Sequence, residues 1–395
     1  MPSVSSLTER VGGKGANAWE IHGHAVTRQE QGEDVIVMSV GDPDFDTPSR
    51  IREAAKAAID AGDTHYVDIR GRQALRQIIA ERHTQRTGQP VTPQNVILVP
   101  GAQCGLFCSS LCIAESGDEL LTTDPVYTTY EAAMTVTGAR MRTVRQSVDN
   151  GFRTSLPELE AAINPATRAI FIANPNNPTG AVLSRAEVAG IVELASANDL
   201  WIVLDEVYSD LVFEGSYVHF AEFEAVHDRL ISISSLSKAY AMTGWRLGWM
   251  IGPDDFVDHA ENLLLGMLYG MPGFIQTAAI TALRDCADDS RAMLETYRRR
   301  RALVLEMLST CKTLNCIEPQ AGMFLMLDVR ETGFASAEFV KQLYRETGVS
   351  VMDGGVFGDA GDGFVRLSFA CGEKDLAEGC RRILAFINGD RRAAR

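Results

Sequence analysis

The sequence predicts an α/β protein with a mainly parallel seven-stranded sheet, helices on both faces of that sheet, and a smaller α+β domain. Three observations support this fold class. Seven short apolar runs lie between residues 95 and 252, with helix-like spacers between most of them, which is typical of a doubly wound sheet. The alternation stops after about residue 286. The chain has 395 residues, more than one hydrophobic core usually serves.

The predicted elements begin with a helix over Ile51–Ala61, which Pro48 opens in its first turn. Further along, Ser184 and Glu187 form a capping box that starts a helix running towards Asn198. Between and beyond these helices lie the seven predicted strands, which are Asn95–Pro100, Glu119–Thr123, Ala139–Val144, Ala169–Ala173, Leu200–Asp205, Leu230–Ser234 and Gly248–Gly252.

The last hundred residues have a different pattern. A long charged helix is predicted from Asp289 to Leu308, and two apolar stretches, Met323–Val329 and Phe364–Phe369, follow it. We expect the N-terminal forty residues to pack on this smaller domain. The expected divisions are residues 1–42 for an N-terminal arm and part of the small domain, 43–285 for the large domain, and 286–395 for the small C-terminal domain.

The composition narrows the functional class. With 37 basic and 52 acidic residues the net charge is −15, so nucleic acid and anionic membranes are unfavourable partners. No apolar run reaches the roughly 18 residues of a membrane-spanning helix, and the first fifteen residues lack the apolar stretch of a signal peptide. We therefore expect a cytoplasmic protein.

Three of the eight cysteines, Cys104, Cys108 and Cys112, recur every fourth residue and would share one face of a helix. A metal cluster is one interpretation, but no histidine or carboxylate follows the same spacing. We therefore expect these cysteines to be buried as small apolar side chains, without a metal site.

Candidate binding residues follow several predicted strands, because ligands of such sheets bind beyond the carboxyl ends of the strands. The segment Gly101–Gln103 opens a helix, and free backbone N–H groups there suit a phosphate. Tyr127 follows the second run, where simple packing is an equal alternative. Asn177 lies in the turn Asn174–Gly180, whose two Asn-Pro pairs fix polar side chains.

Charged residues near the later strands are harder to explain by packing. Asp205 ends a buried strand, where a carboxylate is costly unless it meets a cation. Lys238 is the only one of six lysines placed at the end of a core strand, and desolvation there makes the amine a better nucleophile. Arg246 lies in the apolar segment Met242–Trp249, a setting that calls for a bound anion.

One cofactor, pyridoxal 5′-phosphate, needs all of these groups. Its aldehyde needs the lysine amine, and its ring nitrogen needs an acidic partner, Asp205. Its phosphate needs the helix N-terminus, the Ser235 hydroxyl and Arg246. Its 3-oxygen needs donors such as Asn177 and Tyr208, and the face of its ring needs a stacking partner such as Tyr127.

The chain resembles the fold-type I pyridoxal-phosphate aminotransferases of the class I/II, aspartate/aromatic superfamily. The motifs that carry the resemblance are Gly41–Pro48, Asn177–Gly180, Asp205–Tyr208, Ser235–Lys238, Gly244–Arg246 and Arg366–Phe369. It implies an aminotransferase whose large domain binds the cofactor. The implied catalytic residues are Lys238, Asp205 and Tyr208; the cofactor-binding residues are Gly101, Ala102, Gln103, Tyr127, Asn177, Asp205, Tyr208, Ser235, Ser237, Lys238, Arg246 and Tyr66; the substrate-binding residues are Gly41, Asn177 and Arg366.

The resemblance also implies how two of these residues act. Arg366 resembles the family arginine that holds the substrate α-carboxylate, for which a two-pronged guanidinium is suited. Tyr66 resembles the tyrosine that reaches the phosphate of the neighbouring subunit. The implied partners are therefore a small amino acid, a keto acid and a second copy of the chain in a homodimer with shared active sites.

Two departures from relatives that act on dicarboxylates bear on the substrate. Gln103 stands where aspartate-preferring relatives have a lysine, and Leu263–Pro272 contains no basic residue. Local segments resemble arginine–pyruvate transaminases, so arginine with pyruvate is the first hypothesis. Residues that could face a guanidinium are Trp19, Glu20, Asp68 and Tyr269.

Alternatives remain open on the same residues. Those four side chains could equally be ordinary interface residues. The chain could be an aspartate/aromatic or broad-range aminotransferase, or a related β-lyase. A non-catalytic regulator that keeps the fold would carry an added basic DNA-binding domain, which we do not find in the sequence.

Overall fold

The computed structural model describes residues 3–12 and 19–389, and its largest sheet in these ranges has seven strands. Their order is β2-β8-β7-β6-β5-β3-β4; β8 is antiparallel to both neighbours and the other pairs are parallel. All seven predicted apolar runs form this sheet, so the predicted fold class is confirmed. The strands are β2 (Val96–Val99), β3 (Glu119–Asp124), β4 (Arg140–Arg145), β5 (Thr167–Ala173), β6 (Trp201–Asp205), β7 (Leu230–Ser235) and β8 (Gly248–Ile251).

Helices cover both faces of this sheet because successive strand side chains point to opposite faces. In β5, Phe171 packs in one apolar cluster with residues of α5, α6 and α9, whereas Ile170 and Ile172 pack in another with α7 and α8. A third cluster joins α3, α4 and α10 near β2. These helices are α3 (Ser49–Asp60), α4 (Gln73–Thr87), α5 (Ala102–Ile113), α6 (Tyr130–Thr135), α7 (Leu156–Ala162), α8 (Arg185–Ala197), α9 (Asp254–Met267) and α10 (Gly273–Asp285).

Two predicted helix starts have different outcomes. Ser184 caps α8 as predicted, since its hydroxyl accepts the N–H of Glu187 and the Glu187 carboxylate accepts the N–H of Ser184. Pro48 stands one residue before α3 instead of inside its first turn, because its ψ of 138° is extended. The three cysteines lie along α5 and pack in the apolar cluster on that face of the sheet.

The C-terminal part and a short N-terminal strand share another core. An antiparallel sheet has the order β12-β13-β10-β9, and β1 pairs with β11. These elements are α1 (Ser6–Gly12), α2 (Glu20–Glu30), β1 (Ile36–Val37), α11 (Ala287–Leu308), β9 (Asn315–Ile317), β10 (Phe324–Asp328), α12 (Ser336–Thr347), β11 (Val349–Ser350), β12 (Met352–Asp353), β13 (Phe364–Ser368) and α13 (Glu373–Ile387). The domain boundaries at residues 42 and 285 stay a prediction. Among the described helices, none is both long and apolar enough to span a membrane.

Candidate active site

A cavity of about 330 Å³ lies at the carboxyl ends of β5, β6 and β7 and reaches β13 of the smaller sheet. It brings together residues that are up to 347 positions apart in the sequence, from Trp19 to Arg366, as the strand-end argument predicts. The sequence-predicted residues that line it are Gly41, Ala102, Gln103, Tyr127, Asn177, Asp205, Tyr208, Ser235, Ser237, Lys238, Arg246 and Arg366.

Lys238 lies three residues beyond the end of β7 and projects into this cavity. Its Nζ donates a hydrogen bond to the carbonyl oxygen of Gly41, 2.7 Å away. Burial lowers the pKa of Lys238 to about 8, and the charge of Arg366 acts in the same direction, while the charge of Asp42 opposes it. The amine is therefore much easier to deprotonate than an ordinary lysine.

Asp205 ends β6 with its carboxylate at the floor of the cavity. Each oxygen has one donor: Oδ1 accepts the N–H of Val207 at 3.2 Å, and Oδ2 accepts the hydroxyl of Tyr130 at 3.0 Å. Burial raises the pKa of Asp205 to about 6. Such a carboxylate gains most from a cationic partner, which would return its pKa towards the ordinary range.

Arg366 lies in β13 and is only 1% exposed. Its Nη1 donates to Asn177 Oδ1 at 3.0 Å, and its Nη2 donates to the Ser39 carbonyl oxygen at 2.8 Å. Among the described residues its Nε is buried without a hydrogen-bond partner, and no carboxylate there pairs with the guanidinium. Burial lowers its pKa. A buried cation with an unused donor is a ready site for a small carboxylate.

The turn between β2 and α5 has no space for a side chain at Gly101, which does not itself line the cavity. Its φ is +78°, and a Cβ there would come within 2.5 Å of Arg246 Nη2. Arg246 donates to the carbonyl oxygens of Thr243 at 2.9 Å and Pro100 at 3.2 Å, which places its guanidinium over the start of α5. The first N–H groups of a helix have no partner inside it.

Some predicted residues lie outside this cavity. Tyr66 is 83% exposed, and its ring centroid is 4.9 Å from that of Tyr269. Glu20, Asp68 and Tyr269 do not line the cavity of the described chain, whereas Trp19 does.

The sequence did not predict three residues that lie next to Asp205, Gln103 and Lys238. Tyr130 is buried against Asp205, and Thr129 donates to Gln103 Oε1 at 2.6 Å. Asp42 lines the cavity beside Lys238. Neither Tyr130 nor Thr129 belongs to a strand-end motif. Asp42 lies inside the Gly41–Pro48 motif, but nothing in that motif separates it from the adjacent carboxylates.

Comparison with known proteins agrees with this geometry. The family model for aminotransferase class I and II matches residues 33–383. The chain belongs to this family. It is therefore a pyridoxal-phosphate-dependent aminotransferase, an enzyme that moves an amino group to a keto acid.

Individual relatives cover nearly the whole aminotransferase chain. It is 48% identical to the arginine–pyruvate transaminase AruH of Pseudomonas aeruginosa, over 96% of each protein. It is 34% identical to aromatic-amino-acid aminotransferase 2 of Thermococcus litoralis, over 89% of this chain and 91% of that protein. The crystal structure of Thermus thermophilus aspartate aminotransferase with maleate aligns at a TM-score of 0.91 and 29% identity, over 98% of this chain and all of the other.

The cavity fits pyridoxal phosphate by the chemistry of its side chains. It offers a buried amine of lowered pKa, a buried carboxylate that has no cation at hydrogen-bond distance among the described residues, and a glycine turn beneath an arginine. These correspond to the aldehyde, the ring nitrogen and the phosphate of the cofactor.

Proposed function

We propose that this aminotransferase takes the amino group from a basic L-amino acid, arginine first, and passes it to pyruvate. One observation carries the choice of donor. The three basic residues that line the cavity in the described chain, Lys238, Arg246 and Arg366, are all required for the amine, phosphate and α-carboxylate roles. No fourth cation there remains for the side-chain carboxylate of aspartate or glutamate.

Gln103 stands where aspartate-preferring relatives have a lysine, and it is held by a neutral hydrogen bond. Gln103 Oε1 accepts the hydroxyl of Thr129 at 2.6 Å, and Gln103 lines the cavity. The 48% identity with an arginine–pyruvate transaminase supports the same donor. Of the acidic residues lining the cavity, Asp205 faces the ring nitrogen, which leaves Asp42 as a negative charge that favours a cationic substrate.

We assign the cofactor contacts to residues of this chain. When bound, the cofactor supplies an aldehyde that carries the amino group and a protonated ring that withdraws electrons. Lys238 would hold the aldehyde carbon, and Asp205 would keep the ring nitrogen protonated. Tyr127 would stack on the ring, and Asn177 and Tyr208 would donate to its 3-oxygen. The phosphate contacts belong to Gly101, Ala102, Gln103, Ser235, Ser237 and Arg246.

Lys238 is also the group that moves the proton in this proposal. Once the substrate amine has released it from the aldehyde, its Nζ would take the proton from the α-carbon as a general base and then give a proton back as a general acid. The lowered pKa of Lys238, about 8, makes the neutral amine available near neutral pH. The hydrogen bond of the free amine to the Gly41 carbonyl oxygen shows that Nζ reaches the side of the cavity formed by Gly41.

Arg366 orients the substrate. Its guanidinium lies between Asn177 and the Ser39 carbonyl oxygen, and its ring neighbours Phe324 and Phe357 keep water away from it. A carboxylate that binds there receives charge-assisted hydrogen bonds in a water-poor setting, where they are strong. The backbone at Gly41 completes this side of the site.

We further propose that the enzyme works in the cytoplasm as a homodimer with shared sites. Tyr269, which pairs with the exposed Tyr66, belongs to the same segment as the exposed side chains of Leu265 and Met267. Exposed apolar side chains in one segment favour a protein partner. In a dimer Tyr66 would reach the phosphate of the second subunit, and Asp68 and Tyr269 would face its substrate.

The experiment is a comparison of amino donors with pyruvate and with 2-oxoglutarate. The proposal expects arginine to have the highest kcat/KM, with aspartate lower by at least about tenfold, or about 1.4 kcal/mol. Asp68→Asn should weaken arginine and leave alanine unchanged, whereas Asp60→Asn, an exposed carboxylate of α3, should change neither. If aspartate or phenylalanine exceeds arginine tenfold, the donor is wrong and the aminotransferase assignment stands.

A further inference from the structure

His22 does not line the cavity, but it contacts Trp19, which does, and Ser39, which lies next to the lining residues Val40 and Gly41 in the sequence. Its ring centroid is 5.6 Å from the Trp19 ring, in an edge-to-face contact, and its Nδ1 lies 3.0 Å from the hydroxyl of Ser39. Trp19 lines the cavity, whereas His22 does not. His22 therefore supports Trp19, an aromatic residue of the cavity lining, without lining the cavity itself.

The contacts of Ser39 extend this connection to the arginine of the site. The Ser39 hydroxyl lies 3.1 Å from that of Ser350, and both serines are buried. The carbonyl oxygen of the same Ser39 accepts a hydrogen bond from Arg366 Nη2 at 2.8 Å. His22 is therefore fixed to the segment that also orients the α-carboxylate side of the site.

Trp19 has no cap hydrogen bond that could replace this support. It is the residue before α2, and its side chain caps no backbone N–H of that helix. Edge-to-face aromatic contacts are favourable beyond the apolar area that they bury. The contact with His22 is thus well suited to fix the indole ring at the cavity.

We infer that His22 is a positioning residue that sets the Trp19 ring for contact with the donor side chain. The inference rests on the proposed function, a basic amino donor, whose long side chain Trp19 could contact because it lines the cavity. Burial of His22 and the charge of Arg366 lower the pKa of the imidazole, while the charge of Asp42 opposes them, which supports a neutral ring. A neutral ring satisfies Ser39 and adds no cation beside Arg366.

The test measures kcat and KM for arginine and alanine in four variants. His22→Ala should raise KM for arginine about tenfold, with kcat within about twofold, KM for alanine within about threefold, and the cofactor absorption unchanged. His22→Phe keeps the ring edge and should lie closer to wild type than His22→Asn, which keeps only a hydrogen-bonding group. His24→Ala is the control, because His24 lies on the same helix and contacts Tyr344 instead.

Two outcomes would overturn the inference. One is an equal rise of KM for arginine and alanine in His22→Ala, which a general loss of structure would produce. The other is full recovery in His22→Asn with none in His22→Phe, since the contact with Trp19 would then be irrelevant. If wild type prefers another long donor, that donor replaces arginine in the comparison, so failure of the proposed donor stays distinguishable from failure of the role of His22.

Discussion

Lys238 and Asp205 have opposite pKa shifts with one physical cause. Burial disfavours the charged form of each, so the pKa of the amine falls to about 8 and that of the carboxyl rises to about 6. A neutral amine and a carboxylate that gains from a cation are what an aldehyde and a pyridine nitrogen require. Both shifts therefore prepare the site for the cofactor.

The first prediction concerns the pH dependence of cofactor capture by the apoenzyme. Only the unprotonated amine attacks an aldehyde, so capture should rise with pH and level off above a midpoint of about 8. At pH 7 about a tenth of the Lys238 amines would be neutral, against fewer than about one in a thousand at the ordinary lysine pKa. Stopped-flow absorption measures the rate; a midpoint near the ordinary value would contradict the role of burial.

The second prediction concerns the acid beneath the ring. Asp205→Asn keeps the shape but removes the charge that holds the ring nitrogen protonated. Turnover should fall on the order of 10³-fold, or about 4 kcal/mol of transition-state stabilisation. Tyr130→Phe, which removes one hydrogen bond to Asp205, should cost far less. Near-normal turnover of Asp205→Asn with bound cofactor would refute the assignment.

At the scale of elements, local signals in the sequence predicted the strands and the start of α8. The strands are recognisable because their apolar residues pack into clusters on both faces of the sheet, which makes each strand a short apolar run. The capping box of α8 is recognisable because Ser184 and Glu187 are only three residues apart. The contact of Tyr130 with Asp205 spans 75 residues, and that of His22 with Ser39 depends on how α2 packs beside β1. Such contacts depend on the tertiary fold and leave no local signal.

The turn between β2 and α5 gives the third prediction. Gly101 has a φ of +78° and a ψ of 163°, a region that is almost exclusive to glycine. Gly101→Ala adds about 1–3 kcal/mol of backbone strain and places a Cβ against the Arg246 guanidinium. The dissociation constant of the cofactor should rise at least about tenfold in a titration. Gly372→Ala, where a Cβ meets nothing within 4 Å, should leave the dissociation constant unchanged. An unchanged dissociation constant in Gly101→Ala would show that this turn does not bind the phosphate.

At the scale of the whole molecule, each described chain contains a nearly complete cavity but leaves Tyr66 exposed away from it. In the proposed homodimer, the tyrosine of one subunit would contact the phosphate bound by the other. The sequence resemblance implies this arrangement, and it stays a prediction.

The fourth prediction is the assembly state. Sedimentation should give twice the 43.1 kDa of one chain. Tyr66→Phe should keep that mass, because the hydroxyl is not needed for packing, but weaken cofactor binding several-fold. A monomer with full activity would contradict the shared site.

The most direct test of the account is to locate the covalent bond to the cofactor. Borohydride reduction of the holoenzyme, followed by peptide mass spectrometry, fixes the cofactor to whichever of the six lysines holds it. We predict the added mass on the peptide that contains Lys238, and its loss together with the visible absorption band in Lys238→Ala. Labelling of another lysine, or an unchanged band in Lys238→Ala, would contradict the account.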